Sequence, residues 1–595
     1  MHVQNKAIAH MKSFLKYTLA TVFGVFIALL MLGALLFFTV LGLVSSKTHQ
    51  TVTVKDNSVL ELHLDYTITE RSQADFLSMF SQDGEFKFMG LDKILLVLEQ
   101  AKNDPNIKGI LMHTNVTGTG YATTQELRNA LLDFKSKGKF IYTTAPYYDE
   151  KSYYLASVAD SIFIEPSGNI LLNGLSANIM FYTGALEKLG VEVQYVKVGA
   201  YKGAIEAFTR KDLSPENKTQ IAAYLNDIYN LFIADVAKSR HIDTATLNKA
   251  ISNFEIKTPK QAIAMKLLDG MLYSDQIMNR IKRRLSLKKE AELPMVKAGV
   301  YAQNIDSPEE ETDKIAVVYA VGEIVDGEGN QDNIGSITMS KAIAKAREDK
   351  HVKAIVLRVN SPGGSSLASD VIARELALCK GVKPVVVSMN DYAASGGYYI
   401  SALADSIIAM PATITGSIGV FGLFPNMHEL LVNKMGLSFE TVKTGLHSDF
   451  GRVDQALTET DKAYLQAMVN RIYDDFTTVV EKGRALDSAY VESIAQGHVW
   501  TATQAVKNGL VDSYGGIQKA ISIAAYLSKT KTYSLVAYPK VENPIELLLN
   551  QGTEVLAEQK LKSELGVFYQ YYKGLQEGIK AQGFQMRMPF NVLID

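Results

Sequence analysis

The amino-acid sequence predicts an α/β protein in which one domain occurs twice in tandem behind a single membrane-spanning helix. Three observations indicate this class. A long stretch of the chain repeats itself once, each copy alternates between strand-like and helix-like segments, and an uncharged apolar run lies near the N-terminus. With 595 residues, of which 47% are hydrophobic, the chain is long enough to bury two substantial cores.

The duplication is visible as two series of matching segments. Lys108–Asn115 (KGILMHTN) recurs 245 positions later as Lys353–Asn360 (KAIVLRVN), and Val158–Ile162 recurs at the same spacing as Leu403–Ile407. Further matches drift only between 243 and 246 positions. Because solenoid repeats are about 20–50 residues long, a period of this length indicates a duplicated domain.

The second copy shows the alternation of elements most clearly. Strand-like apolar runs at Ile315–Val318, Ala354–Val359 and Val385–Met389 are interleaved with the helical spacing of Met339–Asp349. Strands that are almost continuously apolar are typical of a parallel sheet with helices on both faces. We therefore predict such a sheet in each copy.

The N-terminal apolar run extends from Tyr17 to Ser46 without a charged residue. A helix of this length, at about 1.5 Å per residue, exceeds the roughly 30 Å hydrocarbon core of a bilayer, and the run is too long for a cleavable signal. Lys6, Lys12 and Lys16 precede it, so the positive-inside tendency predicts a cytoplasmic N-terminus and a main body on the far side of the membrane.

The composition of the segments outside the two copies predicts where the domains begin and end. The segment between the copies is charged, contains two prolines and lacks periodicity, which indicates a surface linker. The C-terminal tail has a helix-compatible sequence as far as Gly578, for which we expect a packing or oligomerisation helix. The predicted divisions are a cytoplasmic N-terminus (1–16), a transmembrane anchor (17–46), the first repeat (47–282), a linker (283–313), the second repeat (314–538) and the tail (539–595).

Charge and cysteine content exclude several functional classes. The balance of 61 basic and 63 acidic residues gives no reason to expect nucleic-acid binding. The single cysteine, Cys379, excludes a disulfide within the chain. The sequence has no phosphate loop ending in GKS or GKT and no zinc spacing such as HExxH, so we expect that its chemistry requires no metal and no cofactor.

Three clusters of small residues lie in the second copy: Ser361–Ser365 (SPGGS), Ala393–Tyr398 (AASGGY) and Thr415–Gly419 (TGSIG). Taken singly, each is most often an ordinary turn. However, the backbone N–H groups of a Gly-Gly pair can stabilise an oxyanion, and small neighbours let the Ser395 hydroxyl protrude. The first copy has Glu150 at the position equivalent to Ser395.

A serine nucleophile needs a base, and the sequence offers two candidates. His447 stands beside Ser448 in a segment that reads as a solvated turn. Lys202, at the first-copy position equivalent to Ser448, has small and apolar neighbours, and burial can lower the pKa of such a lysine to roughly 7–8. An ordinary i,i+4 pair with Glu206 would instead keep Lys202 charged.

Four motifs occur in order along the chain: YKGAIEAFTRKDLSP in the first copy, then NSPGGS, AASGGYYIS and TGSIGVFG in the second. They closely resemble the signal peptide peptidase A family in its long, two-domain, membrane-anchored form, and the similarity covers nearly the whole chain after the anchor. The resemblance implies crotonase-like (ClpP-type) domains and a serine protease that uses a Ser/Lys dyad.

The resemblance also implies an assembly and a set of site residues. It implies a homotetrameric bowl on the periplasmic side of the bacterial inner membrane, which admits cleaved signal peptides and other short or unfolded peptides. The implied site consists of Ser395 as nucleophile, Lys202 as general base, Ser417 as the serine that helps to hold the lysine, and backbone N–H groups around Gly363, Gly364 and Gly396 as the oxyanion hole.

Two other functions stay open from the residues alone. On the same fold, glycine-rich N–H groups serve acyl-CoA hydratases and isomerases by stabilising a thioester enolate, but acyl-CoA is cytoplasmic and the anchor argues against this reading. The other alternative is a non-catalytic membrane scaffold in which the repeats form an assembly surface.

Overall fold

The computed structural model describes residues 16–33, 35, 54–72, 89–115, 118–303, 305, 311–330, 332–540 and 583–588, with a few positions between 561 and 573. These residues form two α/β units, one for each sequence copy, and a third, smaller sheet to which both copies contribute. The predicted cytoplasmic N-terminus, the second part of the predicted span and most of the predicted tail lie outside the described residues.

Helix α1 (Lys16–Gly33) is long and apolar enough to cross a membrane, and it is the one such helix among the described residues. None of it is buried against the rest of the described chain. A core helix of a soluble domain would bury its apolar side chains, so the exposure of α1 agrees with a single-pass anchor. The predicted N-terminal apolar helix is therefore confirmed.

The first unit contains the strands and helices between residues 58 and 303. Its strands are β1 (Ser58–Leu64), β2 (Ile107–Thr114), β3 (Phe140–Tyr148), β4 (Ser161–Ile170), β5 (Glu192–Val198), β6 (Gly270–Met271) and β7 (Met295–Lys297). Its helices are α2 (Leu91–Asn103), α3 (Tyr121–Ser136), α4 (Glu150–Ala156), α5 (Thr183–Leu189), α6 (Glu206–Thr209), α7 (Pro215–Arg240), α8 (Thr244–Ser252), α9 (Pro259–Ala264), α10 (Ser274–Arg284) and α11 (Ala298–Gln303), with a 3₁₀ turn at Gly203–Ile205.

The second unit follows the same plan. Its strands are β8 (Lys314–Val321), β9 (Glu323–Val325), β10 (Asn333–Gly335), β11 (Val352–Ser361), β12 (Gly363–Ser365), β13 (Val385–Ala394), β14 (Ser406–Ala409), β15 (Ile414–Gly416), β16 (Val420–Asn426), β17 (Val499–Thr501), β18 (Ser513–Tyr514) and β19 (Ser534–Tyr538), and the tail adds β20 (Gly583–Arg587). Its helices are α12 (Ser336–Glu348), α13 (Ser366–Cys379), α14 (Gly396–Tyr399), α15 (Glu459–Arg484), α16 (Ser488–Ile494), α17 (Ala502–Lys507) and α18 (Ile517–Leu527), with a π-helical turn at Glu429–Lys434.

The main sheets of the two units have matching strand orders. The first is fully parallel in the order β6-β4-β3-β2-β1-β7. The second has the order β17-β15-β13-β11-β8-β19, with β14 beside β13 and β18 beside β14, and it is parallel except for β17. The predicted tandem duplication of an α/β domain is therefore confirmed.

The segment predicted to be a surface linker, 283–313, contains part of the first unit. Strand β7 pairs with β1 at the edge of the first sheet, just as β19 pairs with β8 in the second. Val296 and Tyr301 from this segment are buried. A strand of three residues is too short to produce a visible period, which is why the sequence pattern did not reveal it.

The third sheet joins segments that are far apart in the chain, in the order β10-β9-β12-β20-β16-β5. Strand β5 of the first unit runs antiparallel to β16 of the second, and β20 of the tail lies antiparallel between β12 and β16. The described residues near the end of the tail thus form a strand, which begins after the helix-compatible sequence that extends to Gly578.

One continuous hydrophobic core crosses from the first unit to the second. It includes Leu98 of α2 and Leu131 of α3 together with Val356 of β11 and Ala520 of α18. The other face of the second sheet is covered by α12, α13 and α15, as predicted. The other face of the first sheet differs from the prediction, because helix α10 covers only part of it and leaves polar side chains of β1 and β2 open to solvent.

A buried ion network also connects the units. Arg358 of β11 donates from Nε to Glu70 at 2.8 Å and from Nη2 to Glu126 at 2.6 Å, and both carboxylates belong to the first unit. Asn390 of β13 donates to Glu70 as well. Burial opposes the guanidinium charge, but Glu126 and Glu70 more than offset it and raise the pKa of Arg358 above its ordinary value. The network fixes β11 and β13 against the first unit.

Arg358→Met tests this network. The substitution leaves Glu70 and Glu126 as buried carboxylates without their cation, which typically costs about 3–5 kcal/mol of unfolding free energy. We expect a clear fall in the urea midpoint and in Tm. Arg347→Met is the matched control, because Arg347 pairs with Glu348 and Glu375 nearer the surface and should change stability by about 1 kcal/mol or less. Equal effects of the two substitutions would contradict a connecting role for Arg358.

Candidate active site

Ser395 lies at the end of β13, where the chain turns into α14. Its backbone has φ 54° and ψ −115°, a conformation that residues other than glycine rarely adopt. The turn is held by a 2.8 Å hydrogen bond from the Ser395 N–H to the carbonyl of Gly416 and by another from the Tyr399 N–H to the Ser395 carbonyl. The side chain is completely buried, with 0% exposure.

Lys202 lies in the loop after β5, on the first unit, and is also completely buried. Two glycines of the second unit make room for it. A Cβ atom on Gly497 would lie 2.7–2.8 Å from the N, Cα and Cβ atoms of Lys202, and one on Gly419 would lie 3.2 Å from its Cδ. Gly419 belongs to a glycine cluster that is visible in the sequence, whereas nothing in the sequence pattern singles out Gly497.

The Lys202 and Ser395 side chains meet across the boundary between the two units. Lys202 Nζ lies 2.7 Å from Ser395 Oγ and 3.0 Å from both the carbonyl oxygen and Oγ of Ser417. Burial lowers the pKa of Lys202 well below its ordinary value of 10.5. A neutral amine has two N–H donors and one lone pair. Donation to the two Ser417 oxygens therefore leaves the lone pair for the Ser395 hydroxyl.

A stack of aromatic side chains lies next to the lysine in the chain. Tyr201, next to Lys202, packs on His498 with ring centroids 4.4 Å apart, and His498 stacks on Trp500 at 3.7 Å. The carbonyl of His498 accepts a 2.7 Å hydrogen bond from the Ser417 N–H, so the same residue also fixes the serine that contacts the lysine. Sequence reasoning missed this stack because Tyr201 lies about 300 positions before His498 and Trp500 in the chain.

The alternative partners for the lysine and the serine lie elsewhere. Glu206 accepts hydrogen bonds from the Ser214 N–H at 3.0 Å and from Asn217 Nδ2 at 2.7 Å, so the i,i+4 pair with Lys202 is not formed. His447 is 46% exposed and lies 3.3 Å from Asp461 on the surface. It therefore does not serve the buried Ser395.

The predicted oxyanion glycines surround the serine. Gly363 and Gly364 have φ values of 101° and 156°, and a Cβ atom on Gly363 would lie 2.8 Å from the Gly396 nitrogen. The Gly363 N–H donates to Ser361 Oγ at 3.2 Å. Gly396 is the first residue of α14, where N–H groups have no partner within the helix. Its N–H is thus the better placed of these donors.

The equivalent positions of the two copies have different chemistry. Glu150, the counterpart of Ser395, is buried and accepts hydrogen bonds from the N–H groups of Asn173 and Gly174 at 2.6 and 2.8 Å. Ser448, the counterpart of Lys202, lies in an exposed turn and donates to the carbonyl of Gly445. Each copy therefore keeps one of the two groups that meet in the site.

Comparison with known proteins agrees with this arrangement. The family described as "Peptidase family S49" matches twice, over residues 133–288 and 377–531. The first match contains Lys202 and the second contains Ser395 and Ser417. The two matches follow the spacing of the internal duplication.

Several curated relatives match most of the chain. Protease 4 of Salmonella typhi is 35% identical over 77% of this chain and 75% of its own length. Protease 4 of Haemophilus influenzae is 33% identical over 83% of both chains. The chloroplastic serine protease SPPA of Arabidopsis thaliana is 30% identical over 90% of this chain and 78% of its own. Neither an acyl-CoA enzyme nor a scaffold fits these matches: the chain belongs to peptidase family S49 and is a serine protease with two copies of the family domain.

Proposed function

We propose that Ser395 and Lys202 form a Ser/Lys dyad that hydrolyses peptide bonds. The observation that carries the proposal is the 2.7 Å contact between Lys202 Nζ and Ser395 Oγ in a fully buried site. Among the described residues, no carboxylate forms an ion pair with Lys202. Burial therefore disfavours the charged ammonium form, and no nearby negative charge compensates for it. A neutral lysine amine is a competent general base for a serine hydroxyl.

The proposed cycle uses groups that are already in place. Lys202 takes the proton of the Ser395 hydroxyl while Oγ attacks the peptide carbonyl, and the resulting ammonium then protonates the leaving amine. A water molecule, activated in turn by Lys202, hydrolyses the acyl-enzyme. Ser417 acts as a positioning residue, because its two oxygens accept the lysine N–H groups and direct the lone pair towards Ser395.

We propose that the negative charge on the tetrahedral intermediate is stabilised by the backbone around Gly396 and the Gly363-Gly364 pair. The Gly396 N–H lies at the start of α14, where it has no acceptor within the helix and can donate to an oxyanion. Side chains at Gly363 or Gly364 would meet backbone atoms at about 2.0 Å. Only glycine fits at these two positions. Without a side chain, their backbone N–H groups stay accessible to a substrate carbonyl.

The substrate is proposed to bind as an extended strand between β12 and β16. In the structure β20 of the tail occupies this place, antiparallel to both strands. A Cβ atom on Gly363 would lie 2.0 Å from the carbonyl oxygen of Met586, so this carbonyl lies beside the proposed oxyanion hole. Strand addition of this kind recognises the backbone of a peptide and needs it unfolded.

Cleaved signal peptides and other short or unfolded peptides suit such a groove, and we propose them as substrates. Helix α1 would keep the enzyme at the membrane where signal peptides remain, with the catalytic units on the periplasmic side. We also propose the homotetramer implied by the family resemblance. The exposed apolar side chains of Leu437, Phe439, Val442 and Leu446 support an interface between subunits, and the mass of the detergent-solubilised protein tests it.

Ser395→Ala and Lys202→Met test the dyad. Each should reduce kcat for an unfolded peptide by at least about 10³-fold, because each removes a group that takes part in the chemical step. Methionine fills the space of the lysine stem, and circular dichroism checks that both variants fold. Ser448→Ala and His447→Ala are the matched controls and should keep full activity. Hydrolysis that survives Lys202→Met but not His447→Ala would move the base to histidine.

The pH dependence of kcat/KM tests the state of the lysine. Because burial lowers the pKa of Lys202, the neutral base should form well below pH 10.5, and activity should rise as pH increases through that lowered value. Below it the ammonium cannot accept the serine proton, so activity should fall. Lys202→Arg should be inactive throughout, since a guanidinium stays protonated. An acid limb centred near 10.5 would be incompatible with a desolvated lysine.

Removal of residues 583–595 tests the strand-like binding of substrate. The deletion vacates the groove between β12 and β16, and we expect kcat/KM for a peptide substrate to increase several-fold. A synthetic peptide with the β20 sequence, GFQMR, should then inhibit the shortened enzyme competitively. The same peptide with proline in place of glutamine is the control, because proline lacks a ladder N–H. Equal inhibition by the two peptides would exclude backbone pairing as the mode of binding.

A further inference from the structure

The open face of the first sheet has a compact group of metal-binding side chains. Glu61 and His63 lie on β1, and His113 lies on β2 directly opposite His63 in the parallel register. Residues two apart on a strand point to the same face, as do residues paired across neighbouring strands. Glu61, His63 and His113 therefore project from one face, near the C-terminal ends of β1 and β2.

The spacing of these side chains differs from that of a hydrogen-bonded cluster. Nε2 of His63 and Nε2 of His113 each lie 3.5 Å from Oε1 of Glu61. This is longer than a good N–H···O hydrogen bond of about 2.7–3.2 Å. It is close to the roughly 3.3 Å that separates two ligand atoms when each lies about 2.0–2.1 Å from a tetrahedral zinc ion.

Two further features favour a metal over a simple polar cluster. The imidazole rings of His63 and His113 stack with centroids 4.3 Å apart and an 8° angle between their planes, so both present the same nitrogen to one carboxylate oxygen. Nε2 of His113 is shielded from solvent, and its 3.5 Å contact with Glu61 is too long to be a good hydrogen bond. A buried acceptor or donor without a partner is costly, and a metal ion would satisfy it.

We propose that Glu61, His63 and His113 bind a divalent transition-metal ion, with zinc as the best fit. Two imidazole nitrogens and one carboxylate oxygen form a three-ligand set typical of open zinc sites, whereas calcium and magnesium prefer oxygen ligands alone. The candidate ligand atoms all lie within 4.8 Å of one another, so small side-chain rotations bring them around one ion. The side chains are 21% to 45% exposed, which gives an ion access and leaves the fourth position to water.

The proposed metal site is separate from the dyad, and its expected effect is to stabilise the fold of the first unit. It joins β1 to β2, two adjacent interior strands of the first sheet, on the face that α10 leaves open. An ion that binds the folded chain and not the unfolded chain stabilises the folded state by mass action. Zinc should therefore raise the Tm of the protein, while peptide hydrolysis, which depends on groups in another part of the fold, should not require the ion.

Metal binding to the full-length, detergent-solubilised protein without a histidine tag tests the proposal. After removal of bound metal with a chelator, titration calorimetry with Zn²⁺ should give one site per chain. Co²⁺ should give the visible absorption of a tetrahedral complex. His63→Ala and His113→Ala should each weaken Zn²⁺ binding at least tenfold, on the order of the losses known for metal-site residues, and should abolish the Zn²⁺-dependent rise in Tm.

His447→Ala is the matched control, because His447 also lies beside a carboxylate, Asp461, but is not in a group of three candidate ligands within the described part of the chain. It should leave Zn²⁺ affinity unchanged. Peptide hydrolysis by the metal-free variants shows that they are folded. Zn²⁺ binding that is absent in the wild type, or that is equally strong after His63→Ala and His113→Ala, would overturn the proposal. Should either variant fail to fold, Glu61→Gln repeats the test with a side chain of the same size, for which we expect the same weakening.

Discussion

The contact between a desolvated amine and a serine hydroxyl is the constraint on which the rest of the structure depends. Holding Lys202 below its ordinary pKa costs about 1.36 kcal/mol of differential interaction for each unit of the shift. Packing must therefore exclude water from the whole side chain. Gly419 and Gly497 allow the close approach, His498 of the aromatic stack holds the Ser417 backbone, and Ser417 contacts the amine without adding a negative charge.

The two units are held together by interactions that serve this contact. Arg358 binds two carboxylates of the first unit from β11, and Asn390 binds one of them from β13, the strand that ends one residue before Ser395. Strand β5, which leads to Lys202, pairs along its full length with β16 of the second unit. Backbone pairing thus positions the proposed base, and a buried ion network positions the strand of the proposed nucleophile. The strand pairing and the ion network both cross the boundary between the two copies.

Much of this arrangement can be predicted from the sequence, because its signals are local or repeated. The duplication, the anchor helix and the main parallel strands follow from periodicity and spacing. Lys202 and Ser395 stand out through their small neighbours and through the family resemblance. What could not be predicted depends on pairing between distant, short segments. Strand β7 has three residues, β20 pairs with strands about 160 and 220 positions away, and Gly497 matters only because Lys202 packs against it.

The buried carboxylate of Glu150 shows how far the first copy has diverged. It occupies the position equivalent to Ser395, but it accepts hydrogen bonds from two backbone N–H groups of a later segment and so has a structural role. Duplicated domains ordinarily tolerate damage to one copy, because the other can substitute for it. Here that redundancy is absent: restoring a serine at Glu150 would not supply a lysine for it. Selection must therefore preserve both halves of the gene at once, as it would two subunits of an obligate heterodimer.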